Sequence, residues 1–355
     1  MIGVETIRVG MEIERRALYN LMRMNWLADQ SVTAEPWQVE DYRALSSEAL
    51  FHRLKAHDIS LQRHDFAAFA SEVDTPEELT DLLLEGSGAD VVEQDQVYLL
   101  VFELWRRLIG DRPSLSIFCD ELDHQIYLYD NHLTDSSEEI QDAITHLQMI
   151  LDENCDRGSQ PKEIFQMISS ACANDLETFL YDYISERLAE GNSRYAAELL
   201  EGFFPYVRDT KWFSFLRVEL QSEIEGRLPQ DHLQELIADY GKESDPEFYL
   251  EILTLMVQEG RQELFTSLVQ KTLPLLRVEE EFRSLLFICS DFLHLRDKEK
   301  REEEVRKILT KRSHFASDSL LKKKRSSFSR INCHTCRISR ESSIYDNNIG
   351  LRLYL

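Results

Sequence analysis

Apolar residues recur at three- and four-residue spacing through most of this 355-residue chain, the period of helices with one buried face. In the first such stretch Ile7, Met11, Leu18 and Met22 make the stripe, and Ser, Thr and Pro between Asp29 and Pro36 break it. Thr75-Pro-Glu-Glu78 reads as a capping box with proline at a position whose amide has no helical acceptor. The helix it opens is expected to reach Glu85 and stop at Gly86, and a second to run from about Asp90 to Ile109 and stop at Gly110. Ser114 caps a third, to about Asp130, with Leu115, Phe118, Cys119, Leu122, Ile126 and Tyr129 on one face. Ser136-Ser-Glu-Glu139 opens a fourth that ends near Cys155 and Gly158.

From there the punctuation becomes regular. Gly158, Gly191, Gly226 and Gly260 follow one another at steps of 33, 35 and 34 residues, and each interval holds two helices. Pro161–Ala173 pairs with Asp175–Glu190, and Arg194–Val207 with Lys211–Glu225. Pro229–Tyr240 pairs with Pro246–Glu259, and Gln262–Leu276 with Glu279–Arg296. The period resembles that of tetratricopeptide arrays, whose units are helical hairpins of about 34 residues. Tyr195, Ala196 and Ala197 near the start of one unit are not repeated in the next, so the likeness is one of period and not of consensus. The resemblance implies an all-α fold, a helical-hairpin array or α-solenoid. The expected organisation is a helical region over 1–157, stacked hairpins over 158–300, a charged helical end over 301–312, and a basic tail over 313–355. That tail reads as disordered or foreign to the folded body.

Charge sharpens this picture. The chain carries 40 Lys and Arg against 65 Asp and Glu, a net −25. Residues 305–355 hold twelve basic and three acidic side chains, or +9, so the rest stands at −34. A body so acidic repels phosphate backbones, which argues against nucleic acid as its partner and favours basic ones. The apolar runs Val97–Phe102 and Leu285–Cys289 are too short to span a bilayer. The first sixteen positions hold no uninterrupted apolar run, which argues against a secretory leader, and their acidic residues argue against a mitochondrial one. Cys119, Cys172 and Cys289 sit among apolar helix residues, as reduced core thiols would. The cytoplasm is the expected compartment.

Candidate chemistry is sparse. Glu121-x-x-His124, with Asp123 between, has a spacing that di-iron bundles use twice, but the chain has no second copy. Asp120, Asp123 and His124 lie opposite the Phe118/Leu122/Ile126 stripe and are expected to face solvent. Cys333-His-Thr-Cys336 supplies two thiolates where a structural zinc needs four ligands. Lys322, Lys323, Lys324 and Arg325 form one short basic run. Gly86-Ser-Gly88 follows a helix and not a strand, so it is no phosphate cradle. Among the aromatics, Tyr206, Trp212 and Tyr249 are the candidate partner contacts; exposure beside acids would make Tyr206 and Trp212 binding hot spots.

The residues thus point to a non-enzymatic protein–protein interaction module, an adaptor, chaperone or scaffold. Its acidic helical surface would take a basic or amphipathic helical partner, with no cofactor. Two other readings stand beside it: a metal-binding protein or enzyme centred on Glu121, Asp123 and His124, and membrane or nucleic-acid binding through Lys322–Arg325.

Overall fold

A computed structural model describes residues 14–110, 112, 114–133, 138–241 and 245–321. Among these residues no strand forms, and one isolated antiparallel bridge joins Val278 to Leu320. The fold is an all-α helical array. The chain divides into two compact units, one running to Tyr183 and including Glu201–Arg208, the other made of Ile184–Leu200 and the chain from Asp209. Ile7, Met11, Ser136, Lys322–Arg325, Cys333 and Cys336 lie outside the described residues.

The first unit opens with α1 (Arg15–Ala28), α2 (Pro36–Val39), a 3-10 turn at Tyr42–Ala44, α3 (Ser47–Lys55), α4 (Arg63–Ala70) and α5 (Pro76–Leu84). It continues with α6 (Val91–Leu108), α7 (Leu115–Asp130), α8 (Glu138–Asp156) and α9 (Pro161–Ala171). The caps are those the sequence advertises. Thr75 Oγ1 accepts from the Glu78 amide, and Ser114 Oγ from that of Ile117. Asp90 and Glu93 close a reciprocal box at the start of α6. Along α6, Val97 to Trp105 are buried without interruption, so this helix is enclosed on every side by its neighbours, α3 and α5 among them.

Two helices are shared between the units, α10 (Leu176–Ala189) and α11 (Ser193–Phe203). The second unit continues with α12 (Thr210–Glu225), α13 (Gln230–Tyr240), α14 (Pro246–Glu259), α15 (Gln262–Thr272), α16 (Glu279–His294) and α17 (Glu299–Arg312). All eight helices of the four expected pairs form, but the consecutive helices that pack most extensively in the second unit are α12 with α13, α14 with α15 and α16 with α17. α11 and α15 stop short, at Phe203 and Thr272, two residues before Pro205 and Pro274, whose nitrogens carry no hydrogen to continue the helical ladder. The four marking glycines do two different jobs. Gly158, Gly191 and Gly226 have φ of 101°, 77° and 64°, the left-handed region in which a β-carbon is strained. Gly260 has φ −62°, but a β-carbon there would lie 2.6 Å from Met256 Cβ and from its carbonyl oxygen.

Lys211 Nζ, at the start of α12, lies 2.6 Å from Asp245, the N-cap of α14. At the other end Arg296, just past α16, donates to the Val257 and Gly260 carbonyls at the end of α14, each at 2.8 Å. The second helices α12, α14 and α16 therefore run in the same direction. Their inner faces build a core of Phe248, Ile252, Leu253, Met256, Leu285, Cys289 and Phe292, with Phe265 of α15 stacked on Phe292.

Residues 313–321 depart from expectation. They return to α16 and do not leave the body. The Glu279 and Glu280 amides, which have no acceptor inside the helix, donate to the Ser319 and Ser317 carbonyls at 2.9 and 3.1 Å. The Leu321 amide donates to Arg277 and its side chain is buried in the core. Arg312 and Glu279 pair beneath this strap, both buried. Composition had marked the segment as tail, but backbone groups, blind to composition, tie it down.

Candidate functional site

On the charged cluster of α7 the structure also overturns the sequence expectation. Asp120 and Asp123 were expected in solvent; they are 2% and 3% exposed. The cause is α1. Its inner face carries Arg16, Tyr19, Asn20 and Arg23, at the i, i+3, i+4, i+7 spacing an apolar stripe would take, while Leu18, expected in the stripe, is exposed. On α7, Asp120, Asp123, His124 and Tyr127 repeat that spacing, and the two helices pack together. Two polar stripes thus bury each other.

Asp120 is the hub. Its Oδ1 accepts from Arg16 Nε at 2.6 Å and Asn20 Nδ2 at 2.9 Å, and its Oδ2 from Arg43 at 2.5 Å. Burial disfavours this charge, but Arg16 and Arg43 outweigh it and hold the carboxyl down to about 2. Glu121 is engaged by Arg43 and Arg106, and Glu103 by Arg106 and Arg107. Asp123 accepts from the Ala173 amide at 2.8 Å, from the Asn174 amide and side chain, and from Asn20, so it clamps the turn after α9 to α7. Burial still pushes Asp123 up to about 6. His124 is half-buried, and its pKa is lowered first by burial and then by Arg43.

These contacts answer for the residues proposed as metal ligands. Glu121 and Asp123 spend their oxygens on guanidinium and amide donors, and His124 does not join them. Among the described residues no group of three or more His, Cys, Asp or Glu is disposed to hold a metal ion.

The aromatic candidates are placed differently from one another. Tyr206, a candidate partner contact if exposed, is 5% exposed and donates to Asp152. Tyr249 is 3% exposed and donates to the Gly241 carbonyl at 2.6 Å. Trp212 is half-buried, edge-on to Phe248 at 5.3 Å between ring centres. A feature that sequence reading passed over lies on the second helices of the second unit. Glu219 of α12 and Glu251 of α14 are neighbouring carboxylates with no hydrogen bond or ion pair to any described residue. Burial, reinforced by Glu251, pushes Glu219 up to about 7; burial and then Glu247 raise Glu251. On the neighbouring α16, Phe287 is 58% exposed, with Glu280 and Asp291 on the same outer face. Helical spacing alone could flag α16, whereas the Glu219–Glu251 approach depends on how two hairpins stack.

Comparison of the chain with protein-family models, with characterised proteins and with solved structures finds no match. The class is therefore defined by the architecture alone: an all-α array in which neighbouring helices pack on one another. No helix among the described residues is long and apolar enough to cross a membrane.

Proposed function

We infer that this protein is a protein–protein interaction module, and that the outer face of its second helices receives a basic, amphipathic helical partner. The observation that carries this reading is the Glu219–Glu251 pair. Glu219 is half-buried and feels the charge of the exposed Glu251 on the next helix, which is a cost to the folded chain that a lysine or arginine of a partner would relieve. Phe287 supplies an apolar contact on the next helix, and the charge of −34 outside the basic end supplies steering. In this reading the array is a tetratricopeptide-like solenoid serving as a cytoplasmic adaptor, scaffold or chaperone, without catalysis of its own.

The test uses the full chain and a fluorescent amphipathic Lys/Leu helical peptide, with a Glu/Leu peptide of the same pattern as control. The Lys/Leu peptide should bind with an affinity that falls as salt rises. Glu219→Lys with Glu251→Lys should weaken it by about tenfold or more. Binding that survives the double charge reversal unchanged, or no binding at low salt, would overturn the reading.

A further inference from the structure

Between α1, residues 38–43 and α7 lies a cleft with a cavity volume of about 50 Å³. Its inner wall includes Arg16, a charged residue only 9% exposed. Of its three guanidinium nitrogens, Nε is used on Asp120; the group lies over the Phe102 ring at 4.7 Å, and the two terminal nitrogens make no hydrogen bond with any described residue. The His124 ring and the Tyr127 hydroxyl, also lining the cleft, are likewise without a hydrogen-bond partner among the described residues.

The carboxylates around the cleft are already engaged. Asp41 pairs with Arg23 at 3.0 Å, Glu40 with Arg53 at 2.5 Å, and Asp120 with Arg43 as well as Arg16. Asp123 is held by four N–H groups. What is left over is the outer edge of Arg16, two parallel donors carrying positive charge in a largely desolvated wall. A buried guanidinium with an unused fork matches the two oxygens of a carboxylate in spacing and in charge.

We propose that this cleft binds a carboxylate group, its oxygens on the two terminal nitrogens of Arg16, with His124 and Tyr127 closing over it as further donors. Phosphate fits less well, since its second negative charge would face Asp120 and Asp123 with no further unpaired cation to meet it. A cavity of this volume takes a carboxylate and little else, so the remainder of a larger ligand projects outward. The carboxylate belongs either to a small free acid or to the end of a peptide chain.

The experiment follows the Arg16 and His124 side-chain resonances of the full-length protein while sodium acetate replaces sodium chloride at constant ionic strength. A saturable acetate response with a millimolar midpoint is expected, weakened about fivefold for each hydrogen bond lost in Tyr127→Phe and His124→Leu. Both rim residues are half-buried, so these variants test the site even where Arg16→Lys fails to fold. A short peptide lacking acidic side chains, compared with its C-terminal amide, separates the sources. Tighter binding of the free-acid peptide than of acetate assigns a chain end, and weaker binding assigns a small acid. Failure of acetate to saturate by about 100 mM, an equal response to chloride, or an undiminished response in the rim variants would overturn the proposal.

Discussion

Arg16 Nε donates to Asp120 Oδ1 at 2.6 Å, closing a loop of 104 residues and fixing α1 against α7 inside the first unit. Both groups are buried, so their pairing does not by itself make the fold stable. Desolvating two charges costs about what their attraction returns, and the sharper consequence concerns removing one of them.

Asp120→Ala strands the buried Arg16 guanidinium, leaves Arg43 to Glu121 alone, and should destabilise the unit by roughly 3–5 kcal/mol. Replacing both charges, as Arg16→Met with Asp120→Leu, should recover part of that loss, since the apolar pair needs no counterion. Urea unfolding of the parent chain and the two variants measures the difference. A double variant less stable than Asp120→Ala alone would show that the network does more than neutralise its own burial.

The pH dependence has two opposing parts. The carboxyl of Asp120 is held at about 2 when folded against an ordinary 3.8, so its contribution is present above about 4 and is lost as pH falls toward 2. Glu219, raised to about 7 from 4.5, has the opposite sign: its protonated form suits the folded chain, and that advantage fades as pH rises from about 4.5 through 7. Glu219→Gln should therefore leave stability unchanged at pH 4.5 and raise it at pH 8, by on the order of 3 kcal/mol. Equal effects at the two pH values would contradict the assignment.

The strap at residues 313–321 gives a third expectation. Ending the chain after Arg312 removes the acceptors of the Glu279 and Glu280 amides and uncovers the Leu321 site. Amide exchange at Glu279 and Glu280 should accelerate, and unfolding should be easier by about 2–4 kcal/mol, the scale of one buried leucine and a lost helix cap. Ending the chain after Leu321 should leave both quantities near their full-length values.

Much of this protein is written locally. Helix starts at Thr75, Asp90 and Ser114 follow from side chains that accept a hydrogen bond three residues on, and the turns at Gly191 and Gly226 from a backbone angle that glycine adopts without strain. Those signals act within a turn of chain, so the sequence alone determined the all-α class and where most helices begin.

Tertiary structure decided what the polar faces mean. Asp120, Asp123 and His124 have the spacing of a solvated stripe, and nothing near them in sequence says otherwise; only the packing of α1, a hundred residues away, turns that stripe inward. Glu219 comes under the influence of Glu251 for the same kind of reason, because α12 packs beside α14. Serine-rich residues 313–321 look like tail until their carbonyls meet the open end of α16. Amphipathic period reports that a helix has two faces, but which face is covered depends on long-range partners, and that choice set both sites on this molecule.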